Sequence, residues 1–205
     1  MPPFDLHWLV NLIGRCQCQH QEGSVIPRGF WFGRFEDDQF TPQEQGNEIR
    51  IVLLGENPGP ERARELIQAW DANNGAVGQY IPQQARILTR YANERATGYW
   101  RSIAELLRFG QFNGVFLHAN TYPFDYEGHQ EHCVSANRVR IVKALITLSL
   151  PIVTLGSVAD EALGDHPHLV IGHPSFGRLS SNLRSFESIR NLPPDFPLSI
   201  PRWQP

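Results

Sequence analysis

The chain has 205 residues and a mass of 23.3 kDa, enough for one compact domain with its own core and too little for two of ordinary size. Apolar residues at 41% and a mean hydropathy of -0.33 exclude a collagen-like or wholly disordered chain, and no apolar run approaches the ~20 residues that cross a bilayer. A net charge of -3 argues by itself against a nucleic-acid partner, but residues 135–205 carry seven basic and five acidic side chains while the rest of the chain is acidic.

Seventeen of the 18 cations are arginine, which suits bidentate phosphate contacts and equally a solvated surface. The start, Met1-Pro2-Pro3-Phe4-Asp5, has no basic segment leading into an apolar stretch, so an intracellular protein is expected. Three cysteines, Cys16, Cys18 and Cys133, cannot all pair and imply no disulfide framework. Together with His20, His129 and His132 they lack the spacing of a zinc site, so no metal is expected.

In chain order, the pattern predicts a helix over Leu6 to Arg15, followed by the aromatic, Gly-rich stretch Arg28 to Phe35, which fits no single element. Four short apolar runs then read as buried parallel strands, because nothing polar alternates within them: Ile51 to Leu54, Val115 to Leu117, Ile152 to Leu155 and Leu169 to Ile171. Helices are expected between them over Pro60 to Ala72, Tyr99 to Phe109, Ala136 to Leu148 and Val158 to Leu163. Strands alternating with helices predict an α/β fold, a three-layer α/β/α sandwich around a central four-stranded parallel sheet. The whole chain reads as a single domain, with residues 1–45 as an N-terminal helix and extension and 193–205 as a Pro-rich tail.

Ligands of such sheets bind beyond the carboxyl ends of the strands, so the residues after each strand are the candidates. The first strand leads into Gly55-Glu56-Asn57-Pro58-Gly59-Pro60, which presents a carboxylate and an amide on a turn stiffened by proline. It is neither a dinucleotide fingerprint nor a P-loop, so no nucleotide cofactor is expected. The second leads into His118-Ala119-Asn120-Thr121; the Asn120 amide offers the donor and acceptor that the O4 and N3 edge of a pyrimidine requires, or caps its own turn. After the third strand, Ser157 reads as a helix N-cap. The fourth leads into Gly172-His173-Pro174-Ser175-Phe176-Gly177-Arg178-Leu179, a loop with a titratable imidazole, a hydroxyl, an aromatic and an arginine. It is not a serine-hydrolase elbow.

Taken in this order over about residues 48–185, these segments resemble the uracil-DNA glycosylase superfamily, and the turn with Asn before Pro resembles its single-strand-selective monofunctional and mismatch-specific branches. The resemblance implies a monofunctional DNA glycosylase that hydrolyses the bond between deoxyribose and a flipped-out uracil or related pyrimidine, without a cofactor, acting as a monomer on DNA. It implies that His173 donates to the departing base, that Asn57 positions the attacking water with Glu56 as the neighbouring carboxylate, and that Asn120 reads the base. It further implies that Gly59 and Ser175 grip flanking phosphates, and that Phe176, Arg178 or Leu179 enters the base stack. Tyr80 is the expected stacking aromatic, with Trp70 and Trp100 behind it. The four-cysteine pattern of the iron-sulfur branch is absent, so no cluster is expected. Residues 61–98 do not match the family pattern, which keeps open a same-fold enzyme for a bulky modified base in foreign DNA. The lack of an aspartate in the first motif keeps open a non-catalytic DNA or protein binder.

Overall fold

The computed structural model of the protein describes residues 30–43, 48–56, 63–94, 98–109, 112–121 and 131–172. In chain order these form β1 (Trp31–Glu36), β2 (Gln39–Gln43), β3 (Ile49–Gly55), α1 (Ala63–Ala72), α2 (Val77–Asn93), α3 (Gly98–Phe109), β4 (Gly114–Asn120), α4 (Glu131–Thr147), β5 (Ile152–Leu155), α5 (Ser157–Leu163) and β6 (Leu169–Ile171). The predicted helix at Leu6 to Arg15 and the Pro-rich tail lie outside the described residues.

The α/β class is as expected, but the sheet is six-stranded and mixed, in the order β2-β1-β4-β3-β5-β6. The correction comes from the aromatic stretch that sequence pattern left unassigned. Trp31 to Glu36 pairs antiparallel with β4 on one side and with β2 on the other, adding a hairpin to the parallel run β4-β3-β5-β6. Its run of aromatics hid the period of two, because both faces of β1 are covered: Trp31 and Phe35 face one core layer and Phe32 the other. The hairpin turns on Asp37 and Asp38, both at positive φ (50 and 63), the geometry a two-residue loop needs to match the strand twist. Arg108 near the end of α3 binds Asp38 through both carboxylate oxygens, at 2.8 and 2.7 Å.

Alternation along the strands sends side chains into two layers. Ile51, Leu53, Phe116, Val153, Leu155, Leu169 and Ile171 pack with Leu66 of α1, Leu88 of α2 and Trp100, Ile103 and Leu107 of α3. On the opposite face Val52, Leu54, Leu117 and Ile152 meet Ile141 and Leu145 of α4 and Ala159 and Leu163 of α5. Ser157 is the first residue of α5 rather than its cap; Gly156 stands before it at φ 106, a conformation suited to glycine. His168, fully enclosed, shares a hydrogen bond of 2.8 Å with Asp160 and so ties α5 to the start of β6.

Helix α2 falls in a segment where no helix is expected from the pattern, and it accommodates Pro82 within it. It runs beside the hairpin and closes the exposed edge of the sheet. The Asn93 amide accepts from Phe40 N at 2.8 Å and donates to Phe40 O at 2.7 Å, standing in for a further strand on the free side of β2. Pro42 on the same strand has no N–H to offer. Asn93→Ala therefore removes these two hydrogen bonds to the Phe40 backbone, and chemical denaturation should read a loss of about 1–2 kcal/mol, with faster amide exchange at Phe40. Unchanged exchange there would show that the edge is held by something else.

Candidate functional site

The carboxyl ends of the parallel strands lie level. Gly55 of β3 pairs with Asn120 of β4, Leu54 with Thr154, and Leu155 of β5 with Ile171 of β6. Side chains that leave these ends therefore share one edge of the sheet. Strand β4 is buried along its whole length, yet on one of its faces the residues run Phe116, His118, Asn120, changing from apolar to polar toward the carboxyl end. Burying such groups is costly unless each finds a partner.

His118, 4% exposed, is set among aromatic rings. Trp31, its cross-strand neighbour on β1, has its ring centroid 6.5 Å away, and Trp100 of α3 lies 5.2 Å away in a tilted contact. The half-buried Tyr99, beside Trp100 at the start of α3, meets the imidazole edge-on, and its hydroxyl shares a 2.8 Å hydrogen bond with His118 Nε2. The direction of that bond follows the imidazole tautomer. Asn120 is 2% exposed. Its position depends on Gly55: a methyl group there would stand 2.7 Å from Asn120 Oδ1 and 3.0 Å from the Tyr99 hydroxyl oxygen. The side-chain amide and the phenol thus converge on one small space at the end of β3, which a methyl group on Gly55 would overfill.

The turns beyond the two strands are tied to each other. Thr121 N donates to Gly55 O, and the Thr121 hydroxyl donates to Glu56 O, both at 2.9 Å. Glu56, half-buried, is thereby held one residue beyond Gly55. Strand β4 includes Asn120 rather than ending at Leu117 as its apolar run suggested, so Asn120 is fixed by the sheet and not by a turn of its own.

Tyr80 is fully buried on α2, packed with Ala69 and edge-on to Trp70 at 5.1 Å, where it serves the core between α1 and α2. Of the aromatics considered, Trp100 is the one beside the strand ends, with its neighbour Tyr99. Asn57, Gly59, His173, Ser175, Phe176, Arg178 and Leu179 lie outside the described residues. Their neighbours Glu56 and Gly172 are described, at the ends of β3 and β6. No group of three or more metal-binding side chains occurs among the described residues, and Cys16, Cys18, His20, His129, His132 and Cys133 are outside what the structure describes of side chains. No described helix is long and apolar enough to cross a membrane.

Sequence reasoning missed Tyr99 and His118. The alternation Phe116-x-His118-x-Asn120 was the available signal for His118, since a strand places all three on one face. Nothing local marks Tyr99. No family model and no curated protein matches the chain.

Gly55→Ala should displace the Asn120 amide, lowering stability by about 1–3 kcal/mol and shifting the Asn120 side-chain amide resonances. Gly98→Ala, where a methyl meets nothing within 4 Å, serves as the control. Unmoved Asn120 resonances in the Gly55 variant would contradict the close approach.

Proposed function

We propose that the protein is a monofunctional DNA glycosylase that hydrolyses the N-glycosidic bond of a flipped-out uracil or related modified pyrimidine. The observation that carries this reading is Asn120: a buried amide at the carboxyl end of a central strand, in register with Gly55 and held beside its Cα. An amide in such a place is held by the sheet at the edge where ligands of such folds bind, and it carries the donor and acceptor that a base edge requires. The level strand ends add support, because the loops carrying Asn57 and His173 leave β3 and β6 at the same edge.

Cleavage of the bond makes the sugar oxocarbenium-like while negative charge collects on the base, so a donor is needed at the base and a positioned water at the sugar. In this reading His173 donates to the base oxygen as it becomes anionic. Asn57, an amide that cannot take a proton, orients the water, and Glu56 supplies the carboxylate beside it. Asn120 binds the N3 and O4 edge. A base within a duplex must first leave the stack, at a cost of a few kcal/mol, and the loop after His173 would fill the gap with Phe176, Arg178 or Leu179, while Gly59 and Ser175 hold the backbone. Lys143 is exposed in the C-terminal half of α4, the end that leads to the start of β5 and so to the opposite edge of the sheet. This placement argues against a Schiff-base step by this lysine, and in this reading the product is an intact abasic site.

Oligonucleotides bearing uracil, hypoxanthine, hydroxymethyluracil or glycosylated cytosine, probed for alkali-labile sites after incubation, test the reading. Release of uracil or hydroxymethyluracil is expected, with His173→Ala reducing the rate by about 100-fold or more. Cleavage of glycosylated cytosine in preference to uracil would move the substrate to a bulky modified base. No abasic product above the His173→Ala control would leave a non-catalytic DNA or protein binder on this scaffold.

A further inference from the structure

Tyr99 touches the same small space as Asn120 from another element of the fold. Its ring leaves the start of α3, crosses to the sheet, and ends with the hydroxyl beside the position a Gly55 methyl would occupy, where Asn120 Oδ1 also lies. The residue is half-buried, and it is braced rather than loose. Trp100 lies edge-on at 5.2 Å, and the hydrogen bond to His118 fixes the hydroxyl at 2.8 Å from an imidazole that is itself enclosed by Trp31 and Trp100. A purely apolar contact would need none of this. A phenylalanine would fill the same volume and spare the strand a buried histidine, whereas the pair of phenol and imidazole places a polar atom at a defined point.

We propose that Tyr99 is a specificity-determining residue, whose hydroxyl, held by His118, contacts the polar edge of the base that Asn120 binds. The identity of the ligand rests on the glycosylase reading; the placement of the hydroxyl does not. The couple has a useful property. When His118 Nε2 carries the proton, it donates to the phenol oxygen and the phenol hydrogen points to an acceptor such as a base carbonyl. When Nε2 is bare, the phenol donates to it and offers an oxygen lone pair to a ring N–H. Either tautomer recognises the N3–H and O4 edge of a pyrimidine, whereas a base without O4 and the N3 proton offers no donor and keeps only the bare N3 as an acceptor.

A substrate pair separates contact from packing. Deoxyuridine and the deoxynucleoside of pyrimidin-2-one, which lacks the O4 oxygen and the N3 proton, are each placed in the same oligonucleotide, and kcat/KM for base release is measured with wild type and Tyr99→Phe. The expected result is a loss of about tenfold on uracil and less than about twofold on pyrimidin-2-one, with the thermal melt of the variant close to that of wild type. His118→Gln, which keeps a hydrogen-bonding group toward the phenol, should retain more uracil activity than Tyr99→Phe. Equal losses on the two bases, or no loss on either, would overturn the proposal. Quenching of tryptophan fluorescence by free uracil separates the two readings should wild type release no base at all. Binding that Tyr99→Phe weakens about tenfold would then sustain the role of Tyr99 while the glycosylase reading falls. Binding that the variant leaves unchanged, or no binding by wild type, would overturn the role of Tyr99 as well.

Discussion

The parallel pairing of β3 with β4, which brings Gly55 opposite Asn120, is the constraint on which the rest depends. A slip of one residue would turn Asn120 and His118 from the layer of α3 to the layer of α4 and send Leu117 the other way. The register holds because both faces of both strands are buried and each face has its own set of partners. The two hydrogen bonds from Thr121 to the backbone of Gly55 and Glu56 then carry the same alignment past the ends of the strands. A site formed there inherits its precision from the core.

Polar residues inside a fully buried strand are a cost that folding alone gives no reason to bear. An unsatisfied buried group forfeits about 1–3 kcal/mol, a sizeable part of the stability of a small domain. His118 avoids most of that cost through Tyr99, and three aromatic rings around it fill the space an imidazole leaves. The hairpin contributes here as well as to the edge of the sheet, because pairing β1 with β4 sets Trp31 opposite His118. An extension that adds nothing to the parallel run is thus part of the wall behind the candidate site.

Much of the fold was legible in the sequence where burial was uniform. The four apolar runs are strands, and β5 and β6 span the residues their pattern marked, because no polar residue interrupts them. Where two signals overlap, the pattern failed. In Trp31 to Glu36 burial of both faces by aromatics erased the alternation, and in Val77 to Asn93 an internal proline masked a helix whose apolar positions Tyr80, Leu88 and Ala92 keep helical spacing. The end of β4 was misjudged for the opposite reason: polarity at His118 and Asn120 looked like the start of a loop, although the strand runs on through both.

The candidate site was legible in the same uneven way. Asn120 could be picked out because its residue type and its place beyond the apolar run Val115 to Leu117 both speak for recognition, although the strand itself reaches it. Tyr80 could not be told from Tyr99 by sequence, since both are tyrosines in helical segments flanking the same strand, and only the packing of α2 against α1 sends one into the core while α3 brings the other to the strand ends. The central claim is that Asn120 meets a nucleobase. It is tested most directly by a crystal structure of the protein with an oligonucleotide carrying a deoxyuridine fluorinated on its sugar to resist cleavage. The account predicts the base outside the helical stack, with its N3 and O4 edge within hydrogen-bond distance of the Asn120 amide. A base that remains stacked, or one lodged at any other part of the surface, would contradict it.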